Sequence, residues 1–241
     1  MARGGVMARS LRAVRRGVFL LVGAAVLMAI MWHLWVLACL VWWKWMPVES
    51  TAFMRREAAA LREKDPKAEL KHRWVDFERI SPHLGRAVIA AEDANFPDHE
   101  GVDWEAIEKA YDKNSRKGKV VAGGSTITMQ LAKNLFLSPD RSYIRKAEEV
   151  IITYMMEAVL DKRRILEIYL NSVEWGVGVF GAEAAARHHY GISAAQLNSW
   201  QAARLAAMLP RPKFYDRNRG SGFLARRAAA IQRFMGDVEL P

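Results

Sequence analysis

Cysteine is almost missing from this chain of 241 residues: Cys39 is the only one, and it lies inside an apolar stretch. A disulfide framework or a thiolate metal site within one chain is therefore excluded. Acidic residues are missing from the N-terminal end, where Arg3, Arg9, Arg12, Arg15 and Arg16 precede the first carboxylate, Glu49. No G-x-x-x-x-G-K-[ST] run is present, which excludes a P-loop. No apolar–polar alternation with a period of two is sustained, and no repeat is visible, so sheet and solenoid architectures are disfavoured. His99 has no partner at metal-ligand spacing, and His188-His189 has no carboxylate placed as in a zincin helix; the pair reads as surface. Of the 36 basic and 26 acidic residues, six basic and no acidic ones fall in the first 45, so the remainder carries 30 against 26. That balance is no nucleic-acid footprint, although it suits a domain resting on anionic lipid.

A long apolar run is present. From Val18 to Trp43 His33 is the only strongly polar side chain. A bilayer core of about 30 Å takes roughly 20 helical residues, and a secretory signal's apolar region is shorter, about 7–15. The run reads as an uncleaved single-pass anchor, with Trp42, Trp43 and Trp45 beside Lys44 as an interfacial belt. Basic flanks stay cytoplasmic, so the tail 1–17 is expected inside and the rest of the chain outside. Residues 44–75, charged and Ala-rich with Pro47 and Pro66, read as a stalk, and 76–241 as one mainly helical domain.

Within that domain Ser81-Pro82 predicts an N-cap with Pro at the first helical position, and Leu84, Val88 and Ile89 face inward. Glu92 falls near the C-terminal end of that helix. Asp103 is placed to cap a second helix, and Asn114 to Gly124 reads as an exposed, mobile basic loop. Ser125 is expected to cap a helix over Thr126 to Phe136. Its polar face carries Thr126, Gln130, Lys133 and Asn134. Arg145 to Leu170 reads as long and helical, broken near Asp161. Ser193 opens a capping box before a helix that Pro210 stops, and a basic helix covers 223–235.

Three segments carry chemistry. Ala91-Glu92-Asp93-Ala94-Asn95-Phe96-Pro97-Asp98-His99-Glu100-Gly101 sets acidic groups and a turn after an apolar helix. An apolar environment and a negative helix end both raise a carboxyl pKa, the direction a general base needs. The bland reading of Glu92 is a solvated residue beside a turn. Asp93 is rotated about 100° away on a helix, so the two form no dyad, and Asp93 is expected to hold the following loop. Gly123-Gly124-Ser125-Thr126 puts glycines before a helix N-terminus, a natural phosphate site or simply a flexible loop with a good cap. Arg145 and Lys146 precede Glu149 by four and three residues, so all three share one region of a helix, as a surface ion pair or as a buried cluster.

In residue order these segments resemble the motifs of the peptidoglycan glycosyltransferases of family 51, which polymerise lipid II. The likeness runs from about residue 80 to 215. Asp161 stands where the family usually has Ser, and Gly176, Gly178, Phe180, Gly181 and Tyr190 match a mostly structural motif. The resemblance implies a lysozyme-like fold, Glu92 as base and Glu149 as the second essential carboxylate. It also implies that Ser125, Thr126, Gln130, Lys133, Asn134, Arg141, Arg145 and Lys146 bind pyrophosphate or glycan. No cofactor is implied as obligatory; Glu149 is the expected place for a divalent cation such as Mg or Mn. Asn171 and Glu183 are expected to hold the fold. The implied partners are lipid II, the growing lipid-linked chain, the cytoplasmic membrane and other cell-wall synthesis or division proteins, with no nucleic acid. The chain ends at Pro241 without a Ser-x-x-Lys set, so a monofunctional polymerase without transpeptidase activity is expected. A glycan hydrolase would need a carboxyl pair rather than cations for its leaving group. A non-catalytic scaffold would have no need of Glu92 and Lys133.

Overall fold

The computed structural model describes residues 3–119, 123–140 and 142–241. Helix α1 (Arg3–Trp43) contains the apolar segment Arg15–Trp43, long and apolar enough to cross a membrane. Its side chains, Phe19, Leu20, Leu21 and Leu27 among them, are largely exposed, as a lipid-facing helix requires. Trp32 and Trp35 stack one turn apart, ring centres 5.0 Å from each other.

The rest, from Trp43 onward, is one compact unit and mainly helical, as expected. Residues 44–75 are not a bare stalk. Helix α2 (Ala52–Arg62) starts at buried Thr51, whose hydroxyl accepts from Met54 N at 3.0 Å, and it packs on α5 (Ile127–Phe136). Lys71–His72 form strand β1, paired in parallel with β3 (Val179–Phe180), which pairs antiparallel with β2 (Glu174–Gly176) across a bulge. The segment carries enough buried apolar surface, Met54 and Val75 included, to fold onto the body.

Two helical layers make the core. Helix α3 (Pro82–Glu92) packs against α9 (Ser199–Met208), which also packs on α11 (Gly222–Phe234). Leu84, Val88 and Ile89 meet a small-residue face of Ala202, Ala203 and Ala206, and all six are fully buried. Helix α5 packs between α6 (Tyr143–Val159) and α7 (Lys162–Ser172). Asp161 breaks the predicted long helix by capping α7, accepting from Arg164 N at 2.7 Å. Helix α8 (Ala182–Tyr190) follows Gly181, whose φ of +81° and the 2.5 Å gap between a Cβ there and Asn171 O leave room for glycine alone.

Several local expectations change. Ser81 occupies the N-cap position of α3, yet its hydroxyl donates to Leu197 O at 2.7 Å and makes no cap bond. The basic segment after Asn114 begins as helix: α4 (Trp104–Lys117), capped by Asp103, runs through it to a left-handed Gly118. Residues 120–122 lie outside the described residues. Ser193 opens only a short 3-10 turn, and α9 takes its own capping box from Asn198 and Gln201. His188 and His189 are half-buried, because Asp216 at the end of α10 (Pro212–Arg217) bonds His188 Nε2 at 2.9 Å and Val177 N at 3.1 Å. Asn171 brackets Val75, accepting from its N at 3.0 Å and donating to its O at 2.9 Å, and Glu183 accepts from Ala194 N at 2.8 Å.

Candidate active site

Glu92 is the last residue of α3 and lines a cleft of about 280 Å³. The cleft is bounded by residues 90–95, by Asp103 and Ala106, and by Gly123–Thr126. Gly124 is needed there, since a Cβ would stand 2.9 Å from Ile107 Cα.

Asp93, the next residue, is buried and faces elsewhere. Its Oδ2 accepts from Ile127 N at 2.8 Å, at the start of α5, and its carboxylate meets His99 Nε2 at 3.0 Å. One carboxylate thus ties the first chemical segment to the helix of the second, with the macrodipole in its favour. His99 in turn accepts from Gly101 N through Nδ1 at 3.0 Å. Lys162 Nζ lies over the Phe96 ring at 4.7 Å and bonds Glu157 at 2.9 Å, which pins the loop to α6 and α7.

Helix α5 places its residues differently from expectation. The cap is Thr126, not Ser125: its hydroxyl accepts from Met129 N at 3.1 Å and donates to Gly101 O at 2.5 Å. Thr126 is buried, lines the cleft and holds two segments together. Ser125 lines the cleft, and its Oγ accepts from Lys146 Nζ at 3.2 Å. Gln130 Nε2 donates to Glu92 Oε2 at 3.0 Å, while Gln130 Oε1 accepts from the Tyr169 hydroxyl at 3.0 Å. Asn134 is buried on the same helix. Lys133 Nζ stands over the Phe53 ring at 5.8 Å.

Glu149 on α6 is buried with a cation on each oxygen, Arg145 at 2.6 Å and Lys146 at 2.5 Å. Arg145 Nε also donates to Asp140 O. A divalent ion at Glu149 would have to displace one of these cations from a neighbourhood rich in positive charge, so the donor set does not fit one. Arg141 lies outside the described residues. Among the described residues His188, His189 and Asp216 also come within metal-ligand reach of one another. There Arg219 donates to Asp216 Oδ1 at 2.7 Å, the same oxygen that accepts from His188 Nε2 at 2.9 Å, so the carboxylate is already held by protein donors.

The electrostatics follow from burial. Desolvation raises the Glu92 pKa, opposed by the Gln130 bond, Arg227 and Lys133, while Asp93 adds to the rise. Desolvation lowers that of Lys133, with Glu149 and Glu92 opposing and Arg145 and Lys146 assisting. The same Lys thus feels both carboxylates, and Ser125 joins the cleft to the cation cluster. A carboxyl of raised pKa, the direction a general base needs, stands near cations able to receive an anion.

Tyr169 and Arg227 were missed by sequence reasoning. Tyr169 had the one available signal, its place in Glu167-Ile168-Tyr169-Leu170-Asn171. Arg227 had none, as one of many cations on a basic helix.

A transglycosylase family model matches residues 58–236. The chain is 59% identical over 231 residues to the biosynthetic peptidoglycan transglycosylase of Herminiimonas arsenicoxydans, covering 96% of this chain and 100% of that one. It is 58% identical over 212 residues to that of Dechloromonas aromatica, covering 88% and 92%. With that of Bordetella pertussis (strain Tohama I) it shares 55% over 222 residues, covering 90% and 92%.

Proposed function

The chain belongs to the biosynthetic peptidoglycan transglycosylases, and from that premise we propose that it polymerises lipid II into β-1,4-linked glycan strands with Glu92 as base. It is a peptidoglycan glycosyltransferase with a membrane-anchoring N-terminal helix. The observation that carries the assignment of Glu92 is its half-buried carboxyl at the cleft with Gln130 on one oxygen, across Ser125 from the Lys146–Glu149–Arg145 cluster.

In this reading the acceptor's sugar hydroxyl attacks the anomeric carbon of the lipid-linked donor. The hydroxyl proton passes to Glu92 as the C–O bond to pyrophosphate breaks, and the departing oxygen takes the bonding pair. Inversion from α to β follows from a single displacement. Lys133, Lys146 and Arg145, with Arg141, receive the charge that develops on the phosphates, the interaction that lowers such barriers most. Glu149 keeps its two cations aligned and is read as a positioning carboxylate. No step runs through a metal.

The arginine-rich tail before the span supports an orientation with the N-terminus in the cytoplasm and the domain on the outer face of the inner membrane. The donor's polyprenyl tail stays in the bilayer, so a membrane-anchored enzyme shares the surface on which its substrate lies. Other cell-wall synthesis or division proteins are natural partners for such an anchor.

The test is Glu92→Gln with labelled lipid II, polymer being separated from monomer. An amide cannot take the proton, so polymer formation should drop about 10²–10⁴-fold with lipid II binding retained. Turnover near the wild-type rate would overturn the assignment.

A further inference from the structure

Glu92 is gripped from two sides, by Gln130 Nε2 on Oε2 at 3.0 Å and by a nitrogen of Arg227 standing 3.5 Å from Oε1. Arg227 belongs to α11, far along the chain, and its Nη2 also lies 3.4 Å from Ala91 O, one of the free carbonyls at the end of α3. A guanidinium there complements the negative end of the helix as well as the carboxylate. Its Nε is buried without a hydrogen-bond partner, although a third of the side chain is exposed. The side chain is thus laid along the end of α3 with a donor on the carboxylate.

We propose that Arg227 is a positioning residue that keeps Glu92 ionised and directed into the cleft until the acceptor hydroxyl gives up its proton. The proposal rests on Glu92 being the base. Burial drives Glu92 toward its protonated form, and Arg227 and Lys133 act against it while Asp93 adds to it. Tyr169, the other titratable group on this side, reaches Glu92 through Gln130. Gln130 is neutral, and the Tyr169 hydroxyl on its carbonyl keeps the amide N–H toward the carboxylate. Once the donor's pyrophosphate occupies the cation cluster, it offsets the charge of Lys133. Arg227, on the opposite helix, is then the cation left to the base. A carboxyl that lost its proton-repelling neighbour would already be protonated at a pH where it must accept one.

The measurement is the pH dependence of kcat, which reports the substrate-bound enzyme, for the full-length enzyme in detergent, for wild type and for Arg227→Gln, Arg227→Met and Arg227→Lys. An opposite charge within about 4–6 Å shifts a carboxyl by about 1–3 pH units. Both neutral variants should therefore move the acidic limb up by about one unit, with activity recovering at alkaline pH. The Lys variant should leave the limb near its wild-type position. Neutral variants that are slow at every pH with an unmoved limb would overturn the proposal and assign Arg227 to the fold or to substrate binding. Glu92→Gln run alongside separates the two claims: its retention of activity would instead remove the base assignment on which this one stands.

Discussion

The proposed role of Lys133 asks much of its charge in the chemistry and little of it in folding. It is set against the Phe53 ring, and burial costs its ammonium part of its hydration. A desolvated cation gains more from an incoming anion than a hydrated one does, so its pull on a departing phosphate is strengthened. Lys133→Ala should cost about 10²–10³-fold in turnover while leaving the melting temperature within a few degrees of wild type. A variant that turns over normally would put the phosphate charge on Arg145, Lys146 and Arg141 alone. Thr126, on the same helix, is the opposite case. Its hydroxyl is committed to Met129 N and Gly101 O, so it ties the start of α5 to the loop at Gly101, and its loss is felt first by the fold.

At the scale of elements, an ion pair fastens α2 to α10 beside a buried carboxyl of β2. Lys213 on α10 bonds Glu57 on α2 and stands 3.4 Å from Glu174 Oε1 on β2, near enough for attraction but with no hydrogen bond to that oxygen. Burial pushes Glu174 up to about 7, Lys213 pulling it down and Glu57 up. A carboxyl whose folded value lies above its unfolded one favours the fold while protonated. That contribution is complete below about 4.5 and is lost as the pH rises through about 7. Glu174→Gln should flatten the pH dependence of thermal stability between pH 5 and 8 and make the protein more stable at pH 8, by on the order of 3 kcal/mol. Melting curves of the two proteins that run parallel across that range would show that Glu174 does not set the dependence.

For the whole molecule, the border between anchor and enzyme is sharper than hydropathy suggests. Arg164 on α7 donates to Trp43 O at 2.8 Å and Met46 O at 2.6 Å, and the Trp43 ring lies 5.4 Å from that of Phe136. The first residues after the span are therefore part of the catalytic unit. Deleting 1–42 should leave a folded enzyme, active on lipid II in detergent and several-fold slower on liposomes, where the anchor supplies effective concentration. Initial rates at equal lipid II density decide it. Equal rates on liposomes would show that the domain docks by its own surface, and loss of activity in detergent would make α1 part of the substrate site.

What could be read from the sequence is what depends on neighbours a few positions apart. The span follows from a continuous apolar run, and the Arg145–Lys146–Glu149 cluster from spacings of three and four on one helix. The caps at Asp103 and Asp161 follow from side chains that reach their own helix. Where a polar group had a distant alternative, the local rule failed: Ser81 turned to Leu197 O, and the predicted stalk folded onto α5 and β3. The surroundings of Glu92 belong wholly to the tertiary structure. Gln130, Tyr169 and Arg227 reach it from α5, α7 and α11, across separations of up to 135 residues, and no periodicity along the chain encodes which helix ends will meet. Residue order could nominate Glu92; only the packing of α3 against its neighbours decided how deeply it is buried and which charges hold it, because desolvation and Coulomb attraction depend on distance in space rather than along the chain.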